Sequence, residues 1–315
     1  MTTLNIHEGL SLDPASTARE IERFVQSEVA RLGKRGVVLG LSGGLDSSVC
    51  AYLCARALGR RNVLAFILPE RDSNPQNTRD AVFVAQILHL QVTHIDVSPI
   101  LTQLGAYDYI TREQAGNRSA IETGLRWIVR LTGQPSAFSA GLASLYSPNP
   151  GWRERLARKL AWRQMGRIYA FAITKARARM IVLYHHAMLN NCLLVGTADK
   201  SEFSIGFYDR YGDGAHDVAL LRHLYKTQIR DLARYLGVPP QIVNKPSSGD
   251  LAAGLPNEAF IGLNYEQLDG ILWGIEHDLP DEQIIAQLKV APVTIRTVRK
   301  TMEVARLIAS LPSHL

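Results

Sequence analysis

Leu39-Gly40-Leu41-Ser42-Gly43-Gly44-Leu45-Asp46-Ser47-Ser48 continues an apolar run that starts at Val37 and runs into a helical pattern from Val49 to Leu58. A buried strand therefore stops, turns on two glycines and opens a helix. That is the geometry of an anion site. Gly43 and Gly44 allow the turn and put no side chain between the backbone amides and a ligand. The first N–H groups of a helix lack intrahelical partners and point at one spot, where the helix dipole favours negative charge. Ser42, Ser47 and Ser48 add hydroxyls. Asp46 would repel phosphates unless a divalent cation stood between them, and Mg2+ takes one or two carboxylates together with phosphate oxygens. The residues predict a nucleotide-polyphosphate site with Mg2+, although a Gly-Gly turn alone also suits a plain capped helix. The string lacks the spacing and lysine of a Walker A loop, and it is not G-x-G-x-x-G.

Outward from this loop, strands and helices alternate. The spacing predicts a helix over 16–32, capped by Ser16 or Thr17. Strands follow over 36–41 and 63–68, then a helix over 78–88 and a strand over 92–97. The polar run Glu70–Asn77 reads as a mobile loop. This order predicts an α/β fold: a doubly wound, mostly parallel sheet with helices on both faces, ligands binding at the carboxyl ends of the strands. From 105 to 166 the strand pattern disappears. Helical pieces at 121–131 and 152–165 flank a Ser/Pro/Asn stretch, Ser144–Gly151. Residues 151–180 hold nine Lys/Arg against one Glu. That is either a surface for a phosphate-bearing ligand or, more simply, a solvated helix face with Trp152, Leu156 and Leu160 turned inward. A helix over 168–190 and a short buried strand over 193–196 come next. A polar loop over 197–217 and a helix over 220–236 follow. Residues 242–263 are rich in Gly, Pro and Ser and read as mobile. Two helices, 282–288 and 294–309, close the chain. Their helix-turn-helix look reads as packing at a domain end rather than DNA recognition.

The 315 residues suit one large domain over 1–290, with a basic helical insertion at 111–166 and a C-terminal helix in 291–315. Apolar content of 46% and charged content of 20% are those of an ordinary globular protein. A net charge of +6 suits an acidic small-molecule substrate without requiring nucleic acid. Cys50, Cys54 and Cys192 form no C-x-x-C pair, so neither zinc nor redox chemistry is expected. Cys50 and Cys54 read as small core residues. The N-terminus lacks a signal-peptide h-region, and no apolar run reaches membrane-spanning length. A cytoplasmic protein is expected.

A second dense region follows the strand over 193–196. Asp199, Glu202, Asp213 and Asp217 alternate there with Lys200 and Arg210 among glycines. Glu202 is placed to complete a Mg2+ site with Asp46 across the ends of neighbouring strands. Lys226, at the start of the next helix, can neutralise charge on a phosphoryl group. His216 lies in the same charged loop. His185, His186, His89 and His94 read as packing or surface residues.

The loop at 42–47 resembles the S-G-G-x-D-S loop of the ATP pyrophosphatases. Further stretches sharpen the likeness: Ala176-Arg177-Ala178-Arg179-Met180 with Leu183-Tyr184, Gly196–Glu202, Tyr211-Gly212-Asp213-Gly214, Leu224–Gln228 and Asn244–Leu251. They occur in the order found in NAD synthetase, and the resemblance covers roughly 16–104 and 168–290. It implies a two-step ligase reaction. ATP adenylylates the carboxylate of deamido-NAD, releasing pyrophosphate, and ammonia then displaces AMP to form NAD. By resemblance, Gly40, Leu41, Ser42, Gly43, Gly44, Leu45, Asp46 and Ser47 hold ATP, with Thr197, Lys226 and Ser248. Asp46 and Glu202 ligate Mg2+, while Arg177, Arg210 and Asp217 contact deamido-NAD. Asp46, Lys226 and Asp217 are the catalytic candidates. The segments 70–78 and 245–262 match two closing loops, and a homodimer is implied. The length leaves no room for an amidohydrolase domain, so ammonia is expected to arrive free or from a separate glutaminase.

The chain also departs from the family. Asp199 stands where the family commonly has Asn, and Arg210 where it usually has Lys. Asn257-Glu258-Ala259-Phe260-Ile261-Gly262 lacks two acids of a closing loop, and the tail has His314 without basic neighbours. These changes fall on the acyl-substrate side. The alternatives are therefore a paralogue amidating another carboxylate, a tRNA-modifying ATP pyrophosphatase, or a nucleotide-binding regulator without turnover.

Overall fold

The computed structural model describes residues 4–146, 151–249 and 255–310. The side chains of 142–146, 153–154 and 156–165 lie outside this description, as do Asp250, Leu251 and His314. Five parallel strands form one sheet: β1 Gly36–Gly40, β2 Val63–Ile67, β3 Gln91–His94, β4 Cys192–Gly196 and β5 Val218–Ala219. Their spatial order is β3-β2-β1-β4-β5. The chain runs outward from β1 to one edge, then returns to β1 and runs to the other. The switch of direction falls between β1 and β4, where Val37 pairs with Leu193. The crevice outside the carboxyl ends of these two strands is where such sheets bind ligands.

Numbering only the elements used below, the helices are α1 Pro14–Arg31, α2 Leu45–Leu58, α3 Pro75–Leu88, α4 Arg118–Thr132, α5 Ala137–Tyr146 and α6 Trp152–Leu189. They continue as α7 Lys200–Ile205, α8 Lys226–Leu236, α9 Asn257–Ile261, α10 Tyr265–Glu276, α11 Asp281–Leu288 and α12 Pro292–Ala309. Alternation along β1 explains the layering. Val37 and Leu39 pack with Ile21, Val49, Leu53, Ile229 and Leu232 on one face. Val38 packs with Phe66, Leu194, Phe171, Ala178 and Leu183 on the other. Helices cover both faces, as the run of apolar residues in β1 requires. A second core joins Tyr265, Leu268, Ile271, Ile284, Ile295, Val298 and Met302 at the helical C-terminal end. The last two helices belong to that core, which accounts for their apolar spacing.

Several expectations need correction. The first long helix begins at Pro14, capped by Asp13 rather than Ser16 or Thr17: the Asp13 carboxylate accepts from the Ala15 and Ser16 amides. The run after β2 is not a loose loop, because Asn74 caps α3 from Pro75 onward. Ion pairs also fasten it. Lys175 Nζ lies 2.8 Å from Glu70 Oε1, and Arg71 pairs with Asp72 at 2.9 Å. The helical patterns at 152–165 and 168–190 are one helix, α6, which carries the chain from the helical lobe α4–α5 back to the sheet. Trp152 is exposed rather than inward, while the inward packing of Leu156 and Leu160 lies outside the described residues. The polar stretch after β4 contains α7, and the helix expected over 220–236 starts only at Lys226, after β5. Within 242–263, the described part includes α9.

Candidate active site

The loop between β1 and α2 carries no side-chain cap at the head of its helix. Gly44 occupies the cap position of α2 without any side-chain cap, so the first amides of that helix keep their donor capacity. Gly43 adopts φ +75°, and a Cβ there would lie 2.1 Å from the Asn77 carbonyl oxygen, so only glycine fits. The hydroxyls bond among themselves. Ser42 Oγ and Ser47 Oγ are 2.9 Å apart, the Gly44 amide donates to Ser42 Oγ at 3.2 Å, and Ser48 Oγ donates to the Gly44 carbonyl at 2.7 Å. Leu41, Leu45 and Ser47 are buried beneath the turn, while Ser42 faces out.

Across the switch point, β4 delivers Thr197 and then the acids of α7. Asp199 Oδ1 caps α7 by accepting the Glu202 amide at 2.7 Å. At the head of α8, Lys226 is fully buried, and three carboxylates surround its ammonium. Asp199 Oδ2 lies at 2.7 Å, Asp46 Oδ2 at 2.9 Å and Glu202 Oε1 at 3.2 Å. Burial alone would lower the lysine's pKa, but Asp199, Asp46 and Glu202 outweigh it and hold the ammonium well above its ordinary value. It stays charged. Burial raises the Asp199 carboxyl well above its ordinary value, with the Lys226 ammonium opposing that rise.

The clustered carboxylate oxygens suit a divalent cation. One carboxylate oxygen from each of Asp46, Asp199 and Glu202 falls within 4.8 Å of the others, and Asp46 Oδ1 is buried without a hydrogen-bond partner among the described residues. An all-oxygen donor set of this kind fits Mg2+. Glu202 is oriented by neighbours as well: its Oε1 accepts from Tyr265 Oη at 2.9 Å and Asn257 Nδ2 at 3.0 Å. Ser201 fixes the start of α8. Its Oγ donates to Asp269 Oδ1 at 2.5 Å and accepts the Lys226 amide at 2.9 Å.

The structure thus brings Asp46, Glu202 and Lys226 together beside the glycine turn. It does not bring Asp217 to them: its Oδ2 accepts the Leu194 amide at 2.7 Å, at the edge of β4. Ser248 Oγ donates to the Leu255 carbonyl within its own segment. Arg177 forms a two-pronged pair with Asp209, both contacts at 2.9 Å, and its guanidinium lies 5.5 Å from the Tyr211 ring centroid. Arg210 flanks the same ring at 5.3 Å. The two arginines are therefore together, beside an open groove of about 910 Å3 lined by Met180, Ile181, Tyr184, Met188 and Leu189. His216 packs against Gly196, where a Cβ would lie 2.4 Å from its ring.

Sequence reading gave Asp199 no role of its own, named Lys245 and Asn257 only as parts of a closing loop, and missed Tyr265. Asp199-Lys200-Ser201-Glu202 carried a capping signal that would have placed Asp199 at a helix start beside the site. Tyr265 and Asn257 act through contacts some sixty residues away in the chain, which no local pattern announces.

A family model described as NAD synthase matches residues 17–129 and 162–311. The break, 130–161, falls within the helical lobe. A curated NH(3)-dependent NAD(+) synthetase of Methanococcus aeolicus is 34% identical over 265 residues, 84% of each chain. One from Hyperthermus butylicus is 32% identical over 305 residues, 96% of this chain and 90% of the relative. Among solved structures, an NH3-dependent NAD synthetase from Campylobacter jejuni superposes with a TM-score of 0.67 at 25% identity, covering 97% of this chain and all of that one.

Proposed function

The chain belongs to the NAD synthase family, and on that premise we propose that it amidates deamido-NAD to NAD with ammonia at the expense of ATP. The observation that carries this reading is the fully buried Lys226 ammonium among Asp46, Asp199 and Glu202, set beside the uncapped start of α2. In the first step the deamido-NAD carboxylate oxygen attacks the α-phosphorus of ATP. An O–P bond forms, the α–β bridge breaks, and pyrophosphate leaves. Gly40–Ser47 would hold that pyrophosphate through the amides at the head of α2. Lys226 would offset charge on the phosphoryl oxygens in the transition state. In the second step ammonia adds to the acyl carbon, loses a proton, and AMP departs with the C–O bond electrons.

Asp46 and Glu202 would hold Mg2+, which supplies charge neutralisation between the carboxylates and the phosphates. Thr197 and Ser248 are the further proposed ATP contacts. Arg177, Arg210 and Asp217 are the proposed deamido-NAD contacts, with Asp217 reached through its second oxygen. A homodimer is supported by the exposed apolar face of α6, where Ile181, Met188 and Leu189 are 62%, 76% and 70% exposed around the groove that Arg177 enters. The insertion proposed at 111–166 has support over 130–161, the stretch that the family model leaves unmatched.

The test is stoichiometric. The protein incubated with ATP, Mg2+, ammonium and deamido-NAD should yield NAD, AMP and pyrophosphate in equal amounts, and none of them without deamido-NAD. Asp46→Ala should abolish turnover and leave the fold intact. Pyrophosphate exchange with another acid but not with deamido-NAD would move the assignment to a different acyl substrate. Release of ADP would overturn it.

A further inference from the structure

Lys245 sits at the start of the segment that follows α8, some 200 residues from the glycine turn, yet its side chain reaches that turn. Its Nζ donates to the Gly43 carbonyl at 3.1 Å and to Asp80 Oδ2 at 2.6 Å. Asp80 is a buried residue of α3, and its other oxygen accepts Gln76 Nε2 at 2.8 Å. The lysine is thus aimed by a fixed carboxylate. Gly43 is confined as well, because Asn77 and Ala81 of α3 leave no room beside it.

The peptide joining Gly43 and Gly44 is planar and trans, so its C=O and N–H point in opposite directions. Holding the carbonyl toward α3 turns the Gly44 amide to the other side. That is the side of the phosphate-binding turn, where Ser42 Oγ now accepts it at 3.2 Å. A charge-assisted hydrogen bond on the carbonyl also polarises the amide and makes it a better donor. The segment is tied at its other end too. The Asn257 amide donates to the Ser247 carbonyl at 2.7 Å, and the Asn257 side chain reaches Glu202.

We propose that Lys245 is a positioning residue for polyphosphate: with Asp80 it locks the Gly43–Gly44 peptide so that the Gly44 amide faces the β,γ-phosphates of ATP. This rests on the reading of 40–47 as the pyrophosphate-binding loop. The lysine works from behind the loop and does not touch the phosphates.

The experiment measures binding of inorganic pyrophosphate and of AMP, with Mg2+ present, to the full-length protein by calorimetry. AMP lacks the two phosphates that the locked amide serves. Lys245→Met should weaken pyrophosphate binding at least tenfold, leave AMP binding within twofold, and stay folded by circular dichroism, with a melting temperature lowered because buried Asp80 loses its cation. Lys245→Arg should recover part of the loss. Asp80→Asn should weaken pyrophosphate binding in the same direction, because the lysine loses its anchor. If Asp80→Asn instead leaves pyrophosphate binding unchanged or tightens it, the freed lysine is contacting phosphate directly and the proposal is wrong. Wild-type pyrophosphate affinity in Lys245→Met, or equal loss of both ligands, also overturns it and leaves the reading of the loop standing. A wild-type protein that binds no pyrophosphate would fail the loop reading itself.

Discussion

At the scale of single residues, Lys226 carries the most consequence. A buried ammonium among three carboxylates is tolerable only as a set, because each charge offsets the desolvation of the others. Lys226→Met should therefore do two things at once. Turnover should fall by at least about a thousandfold, and denaturant unfolding should show a loss of about 3–5 kcal/mol from the acids left unpaired. Adding Asp199→Asn to that variant should restore part of the stability and none of the activity, since Asn can still cap α7 while removing a buried carboxyl that no cation offsets. If the double variant is no more stable than the single one, Asp199 does not share the lysine's charge. Gly43 is a second such position. Gly43→Ala would push a methyl into the Asn77 carbonyl and force φ +75° on an alanine. It should cost about 1–2 kcal/mol for the dihedral alone, plus displacement of α3, read as a lower melting temperature together with lost ATP binding. The glycine turn was legible from sequence because local residue chemistry dictates it. Asn257 and Tyr265 were not, because their part in the site is a matter of which distant side chain they meet.

Among the elements, α10 shows why some structure stayed hidden. Its sequence offers an Asn264 cap and apolar residues at Tyr265, Leu268, Ile271 and Leu272, yet Gly270 and Gly274 obscure the pattern. Those glycines are a contact surface: a Cβ at Gly270 would meet Leu288, and one at Gly274 would meet Ile284, so α11 packs close on α10. The continuity of α6 was masked in the same way by Gly166, which costs a helix only about 1 kcal/mol when flanking turns support it. β5 is two residues long and exists only as a partner of β4, so no periodicity could declare it. The parallel strands β1, β2 and β4, by contrast, were plain from their apolar runs. The joint between α10 and α8 has a measurable signature. Burial raises the Asp269 carboxyl to about 6, against the opposing hydrogen bonds from Ser201 and Thr227. An unfolded aspartate titrates near 3.9. Between these values the folded chain keeps a proton that the unfolded chain has lost, so this group's contribution to stability falls as pH rises from about 4 to 6, by about 3 kcal/mol in all. Unfolding curves of wild type and Asp269→Asn at pH 4, 5, 6 and 7 should show the wild type losing ground to the variant across that window. Parallel curves would place the carboxyl in a more hydrated setting.

For the whole molecule, the order of strand addition switches sides where the glycine turn and the acids of α7 meet, so one crevice gathers residues from both halves of the chain. The groove along α6 is the other large-scale feature. If it is the dimer face, Met188→Glu should turn a dimer into a monomer in light scattering at micromolar concentration without lowering the melting temperature of the subunit, and a wild type that is monomeric there would refute it. Among the described residues no helix is long and apolar enough to cross a membrane. The account as a whole stands on the carboxylate of deamido-NAD attacking the α-phosphorus of ATP. Deamido-NAD labelled with 18O in its nicotinate carboxylate tests this directly, with AMP, pyrophosphate and phosphate analysed by mass spectrometry after turnover with ammonium. One labelled oxygen should appear in AMP and none in pyrophosphate. Label in inorganic phosphate, or AMP without label, would contradict an acyl-adenylate and with it the function assigned to the site.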